Sequence, residues 1–303
     1  MLAMLHVLTH DILPVFAMMA LGFLLGRAKV ISGADASVLN RVAFLTLQPA
    51  LLFPLINKLD WHAFQFDAIG LYAACQVIVF SLTYVVCRTA LRRERLEAWL
   101  LAMATIFVNT LLYIWPISYL IYGEVAALPI TAIVAWDATV TFAFFIITTD
   151  LMANPDAGIR QSLRRVTRNP VLIAIAFGVV TNLAGLAAPA PILTGLDFAG
   201  AAAAPLTLFA LGVILSGHPL TPNATVMVVS GLKLLAFPAL VYAALHLGDR
   251  PMQWNTLIVL CAAGPAGAMS FALAMLHGVR TDVIAPVIIW TSTLSLISLA
   301  WLA

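Results

Sequence analysis

The strongest constraint in this chain is a succession of apolar runs, each about 20 residues long, separated by short clusters of charged and turn residues. A run of that length spans the hydrocarbon core of a bilayer as one helix, in which every backbone amide finds its partner within the segment. A β-barrel would show alternating segments of about ten residues instead of continuous runs. The runs predict ten spans, near 11–27, 38–57, 66–87, 98–123, 125–149, 170–188, 198–217, 224–247, 254–278 and 281–302. Composition agrees: 63% of residues are hydrophobic and 9% charged, against about 25% charged in a soluble domain. So few charges cannot solvate the outside of a water-borne fold, and most of the outer face meets lipid. The expected fold is an all-α integral membrane protein.

The positions of the basic residues test the count. If the N-terminus lies outside and loops alternate, the inner loops hold Arg27, Lys29, Arg41, Arg88, Arg92, Arg93, Arg95, Arg160, Arg164, Arg165, Arg168 and Arg280. These are twelve of the 15 Lys and Arg. Only Lys58 and Arg250 fall outside, and Lys233 lies within the eighth span. This is the asymmetry of the positive-inside rule, and a miscounted helix would scramble every later loop. The first span is expected to be a retained helix and not a signal peptide, because Arg27 and Lys29 follow the apolar run instead of preceding it. A bacterial inner-membrane protein with both termini periplasmic is the expected arrangement. The net charge of +2 and the lack of basic residues interleaved with aromatics give no footprint for nucleic acid. Cys75, Cys87 and Cys261 are odd in number and sit in apolar segments, so they predict neither disulfides nor a metal site.

The chain also resembles itself. Pro14, Val15 and Gly22 match Pro170, Val171 and Gly178 at a shift of 156; Pro49, Leu52 and Phe53 match Pro205, Leu208 and Phe209 at the same shift. Trp99 and Gly123 match Trp254 and Gly278 at 155, and Trp136 and Thr139 match Trp290 and Thr293 at 154. The third and eighth spans offer no such anchor. The halves are expected over 1–150 and 170–303, joined by a cytoplasmic linker over 151–169 that contains Asn154-Pro155-Asp156 and four Arg. Five spans per half is an odd number, so the second repeat enters from the opposite side. Inverted repeats of this kind build secondary transporters, with the site near the bilayer midplane.

In that architecture the site lies on helices interrupted at equivalent depths in the two halves. Span nine carries Gly264-Pro265-Ala266-Gly267, where two glycines permit unusual backbone angles and Pro265 lacks an amide donor. Span four carries Asn109-Thr110 at the equivalent depth, with Pro116 two turns on. A broken helix exposes unpaired amides and partial positive charge at the start of its second half, which attracts an anion without a buried Arg. The alternative is a plain kink, since Gly and Pro are common in membrane helices.

Six other polar or aromatic positions matter. Asp137 is the one acid near mid-span, where ionisable groups are costly and usually functional. Binding a proton or cation and a structural hydrogen bond to Thr139 or a neighbouring helix both fit it. Lys233 is expected to snorkel toward the inner end of span eight. Gln76 reads as glue between helices. Gln48, beside the repeat-related Pro49, fits glue and substrate contact equally. Tyr113, like Trp115, reads as packing before cavity lining.

The Asn-Thr…Pro segment from Asn109-Thr110 to Pro116, the Pro265-centred break, and Pro49-Ala50-Leu51-Leu52-Phe53 together resemble the auxin efflux carrier family over essentially the whole chain. Bacterial members are often labelled malonate transporters. The resemblance implies two inverted five-helix repeats whose broken helices four and nine cross. It implies a scaffold of spans one, two, six and seven, and a mobile remainder that moves a carboxylate in an elevator-like stroke. One departure stands out: the family pattern has glycines two and five residues after the Asn, where this chain has Leu111 and Ile114. Both resist unwinding, so a shorter break or a smaller pocket is expected.

The function expected is secondary transport of a small organic anion such as malonate. Asn109, Thr110, Tyr113, Gly264, Pro265, Ala266, Gly267, Gln48 and Pro49 are the candidate binding residues, and Asp137 the candidate for proton or ion coupling. The alternative is a sodium-coupled organic-anion symporter with a bile-acid-transporter-like fold. An enzyme is disfavoured by the motifs: no GxxxxGK[ST] loop, no HExxH, no second acid beside Asp137, and no GxSxG around Ser270. The expected partners are the bilayer, the anion, a proton or sodium, and a second copy of the chain. No cofactor is expected.

Overall fold

The computed structural model describes residues 2–154, 158–248 and 250–303, and is helical throughout. Pro155 and Asp156 of the expected linker lie outside the described residues. The helices are α1 (Met4–Arg27), α2 (Gly33–Asn57), α3 (Phe66–Thr89), α4 (Arg95–Ile106), α5 (Trp115–Tyr122), α6 (127–153) and α7 (Gly158–Thr167). They continue with α8 (Pro170–Leu183), α9 (Ala190–Ser216), α10 (Ala224–Leu245), α11 (Met252–Ala263), α12 (Met269–Leu276) and α13 (Ile284–Leu302). Among the described residues, seven helical segments are long and apolar enough to cross a membrane, and eight if α7 and α8, bent by 63°, count together. One of the seven is the 44-residue stretch Thr110–Ala153, which at 1.5 Å per residue is about twice the hydrocarbon thickness. Gly123, at φ 66°, interrupts it, and α5 and α6 pack side by side.

Local sequence explains where the helices depart from expectation. The second begins at Gly33 instead of 38, because Ser32 and Asp35 form a reciprocal capping box: Ser32 Oγ accepts from the Asp35 amide and Asp35 Oδ2 from the Ser32 amide. The sixth ends at Leu183, short of 188, with Gly185 at φ 65° stopping it. Helical turns widen to the π form at Leu8–Ile12, Ala43–Leu47, Thr110–Ile114 and Leu232–Ala236. Each widening ends two residues before a proline: Pro14, Pro49, Pro116 and Pro238. A proline ring crowds the carbonyl four residues back and supplies no amide, and the wider turn relieves both problems. A fifth π turn, Asp137–Thr141, has no proline after it.

The helices α1, α2, α8 and α9 pack on one another. The close approaches depend on glycine. A side chain at Gly22 would run into the backbone of Phe209, and one at Gly178 would meet Ile56 and the Phe53 carbonyl. Beside this group, α3 packs on α4 and α10, α10 on α11, and α4 on α12.

Candidate functional site: crossed helix breaks at the centre of the molecule

The apolar helix α4 stops at Ile106, and Phe107 takes up an extended conformation (φ −85°, ψ 101°). The helix α11 stops at Ala263, where Gly264 is extended too (φ −63°, ψ 166°). The two extended stretches run antiparallel and pair at Val108 and Ala266. The Asn109 amide donates to the Pro265 carbonyl at 3.0 Å, and the Gly267 amide donates to the Phe107 carbonyl at 2.7 Å. Each break thus supplies hydrogen-bond partners for the other's freed backbone groups. The Ala266 amide, left between them, donates to Thr291 Oγ1 at 3.2 Å.

Closeness at the crossing requires both glycines. A Cβ on Gly267 would stand 2.8 Å from a ring carbon of Phe107 and 3.0 Å from its carbonyl oxygen. A Cβ on Gly264 would stand 2.6 Å from Ile114 Cδ1 and 2.8 Å from Val108 Cγ1. Ile114, where the auxin carrier pattern has glycine, therefore occupies the room that Gly264 leaves. Both departures from that pattern, Leu111 and Ile114, sit within the widened but intact turn Thr110–Ile114, so the break is confined to Phe107, Val108 and Asn109.

The carbonyl ends of the two first half-helices are met by side chains from α3 and α10. Gln76 Nε2 donates to the Ile106 carbonyl at 3.2 Å, and Lys233 Nζ donates to the Ala262 carbonyl at 2.7 Å. Lys233 is 0% exposed, which corrects the expectation that it snorkels; the freed carbonyl binds it inside. Gln76 is the inter-helix glue expected: it also donates to Asp137 Oδ1 at 2.7 Å and accepts from Trp136 Nε1 at 2.8 Å. Tyr72 and Thr141 donate to the same carboxylate, each at 3.4 Å. Thr139 turns instead to its own helix, donating to the Ala135 carbonyl.

The amide ends of the second half-helices face a cavity of about 580 Å³. Asn109, Thr110, Leu111 and Leu112 line it from one break, and Gly267, Ala268 and Met269 from the other. Gln48, Asn40, Thr207, Leu208 and His218 contribute from the neighbouring helices, and Asp137 also reaches it. It extends to Gly33, Ala34, Ser37 and Met275, at the molecular end that carries the Arg-rich loops. Thr110 Oγ1, Thr207 Oγ1 and His218 Nδ1, on residues that line it, are buried without a hydrogen-bond partner.

The remaining predicted residues lie off the cavity. Tyr113 is fully buried, its hydroxyl 3.4 Å from the Ser292 carbonyl, so it packs. Gly264, Pro265 and Ala266 shape the crossing from behind, and Pro49 closes the widened turn that precedes Gln48. Sequence reasoning missed Thr207 and His218, since neither belongs to a break.

The sequence profile of the membrane transport protein family matches residues 7–162 and 157–302. A Rhizobium meliloti protein with the provisional name malonate transporter is 28% identical over 301 residues, covering 95% of this chain and 92% of its own. A transporter of Methanothermobacter thermautotrophicus, whose name specifies no substrate, is 28% identical over 299 residues, 96% of each chain. The Escherichia coli transporter YfdV is 24% identical over 287 residues, 89% of this chain and 88% of its own. The chain belongs to the membrane transport protein family, that of the auxin efflux carriers.

Proposed function

We propose that this transporter is a secondary carrier of a small organic anion, with the anion held at the crossing by the starts of the two second half-helices. The observation that carries the proposal is their convergence on one cavity. The first amides of a helix have no intrahelical acceptor and carry about half a positive charge together. Thr110 and Asn109 at one start and Gly267 to Met269 at the other border the same space, beside hydroxyls with no partner. Gln48 lines the same space from a neighbouring helix, and Asp137 is the coupling group, bordering the anion's space at the end of a chain of hydrogen bonds. The name of the Rhizobium relative makes malonate the first substrate to test.

The proposed frame is ten spans in two inverted repeats, 1–150 and 170–303, in a bacterial inner membrane with both termini outside. Three pairs of contacts support it. Gly22 packs on Phe209 as Gly178 packs on Phe53, the partners being related by the shift of 156. Gln76 holds Ile106 as Lys233 holds Ala262, at shifts of 157 and 156, which supplies an anchor for the third and eighth spans. The two amide–carbonyl bonds of the crossing are themselves reciprocal.

Uptake of radiolabelled malonate and a panel of other carboxylates into proteoliposomes tests the reading. Saturable uptake by the purified chain is expected, together with its loss in Asn109→Leu protein that still inserts and purifies. Absence of uptake across the panel refutes the carrier, and wild-type uptake by Asn109→Leu refutes the site.

A further inference from the structure

The carbonyl end of α11 is an unusual place for a lysine. Its last carbonyls have lost their helical donors at the break and carry partial negative charge in a medium of low dielectric. In transporters built from broken helices, such ends coordinate a coupling sodium ion. Here the amino group of Lys233 takes that place. It donates to the Ala262 carbonyl at 2.7 Å, lies 5.0 Å from the centre of the Phe237 ring, and has no exposed surface. Among the described residues no carboxylate pairs with it within 4.0 Å; Asp137 is within electrostatic reach. A carbonyl and a ring face are the ligands that attract a compact cation. The corresponding carbonyl of the other half, Ile106, is met by the neutral amide of Gln76, so a hydrogen bond alone suffices there and charge is specific to the α11 side.

We infer that Lys233 is a built-in cation, tethered where a mobile monovalent ion would otherwise sit against the carbonyl end of α11, and that this transporter therefore needs no sodium to form its crossing. Truncating the side chain should turn the position into a binding site for a small monovalent cation. The inference takes its meaning for transport from the proposed carrier function, but its test uses no substrate, so the two can fail separately.

The test is thermal unfolding of the purified full chain in detergent, in sodium chloride and in choline chloride at equal ionic strength. Wild type should melt at the same temperature in both. Lys233→Ala should melt lower in choline and recover about 2–4 °C in sodium or methylammonium chloride, saturably, as a ligand that binds only the folded form requires. Lys233→Met keeps the packed stem but ends one atom short, leaving the Nζ position open, and should gain the same response. A merely structural role would lower the melting point of both variants without selecting among cations. The inference is overturned by a wild type stabilised by sodium over choline. It is overturned equally by a folded Ala or Met variant that melts alike in sodium, methylammonium and choline, or by failure of both variants to fold in any of these salts.

Discussion

The fit of Ile114 against Gly264 sets up a double-mutant cycle at the crossing. A methyl added by Gly264→Ala would stand 2.6 Å from two carbons of Ile114, about 1 Å inside ordinary carbon–carbon contact. The backbone cannot yield, because it is held by the bonds from Asn109 to Pro265 and from Gly267 to Phe107. The single substitution should cost about 1–3 kcal/mol by overpacking. Ile114 is fully buried, and Ile114→Ala alone should cost about 2–5 kcal/mol by leaving a cavity. In the double variant the new methyl enters the space Ile114 vacates, which removes the contact with Ile114 and shrinks the hole, while the 2.8 Å approach to Val108 Cγ1 remains in both backgrounds and cancels from the coupling. The pair should then lie about 1–3 kcal/mol above the sum of the singles. At about 2–4 °C per kcal/mol the coupling is readable as a melting shift of several degrees in detergent. Additive shifts within about 0.5 kcal/mol would refute the claim that Ile114 fills the room left by the glycine.

Three further outcomes are expected. Asp137→Asn should fold, since Gln76 and Thr141 can still donate to a carbonyl oxygen at the Oδ1 position, and the Tyr72 hydroxyl can accept from the new amide at the Oδ2 position. It should, however, lose uptake driven by an imposed pH gradient, measured in proteoliposomes with wild type alongside. Leu111 and Leu208 both line the main cavity and a second one of about 290 Å³ that borders Pro14 and Trp115. Leu111→Gly should therefore thin the septum and raise passive leak of a fluorescent anion severalfold above wild-type vesicles. Gly22→Leu should drive a side chain into the Phe209 backbone and destabilise by at least 1–3 kcal/mol, seen as a melting shift that Gly33→Leu, in open space, does not produce.

Much of the crossing was legible because its causes are local. Gly264, Pro265 and Gly267 cannot sustain a helix economically, and Asn109 ends one readily, so the breaks fall where composition puts them. The long helices follow from apolar runs for the same reason. What depended on partners far away in the chain was not legible. Lys233 lies near enough to a helix end to suggest snorkelling, and only the carbonyl of Ala262, 29 residues on, shows why it stays inside. Its correspondence with Gln76 escapes any residue-matching scheme, because an amide and an ammonium share nothing except the kind of acceptor they meet. Thr207 and His218 reach the cavity through the packing of α9, and no feature of their own neighbours marks them.

The arrangement also bears on how the proposed anion would be held without arginine. A broken helix presents two ends of opposite sign, and an ion near both would feel little net attraction. At this crossing the signs are separated. The amide ends, at Thr110 and Met269, border the cavity. The carbonyl ends, at Ile106 and Ala262, are engaged by Gln76 and Lys233, and neither of those side chains lines the cavity. Two helix starts of about half a charge each can together balance one carboxylate, provided the opposing ends are masked. Lys233 does more than mask: its charge adds to the potential that the proposed anion meets, from a position where it cannot pair with that anion directly. On this account Lys233→Gln should weaken anion binding while preserving the geometry seen at Gln76. An unchanged affinity in that variant would mean that the carbonyl end of α11 does not influence the cavity at all.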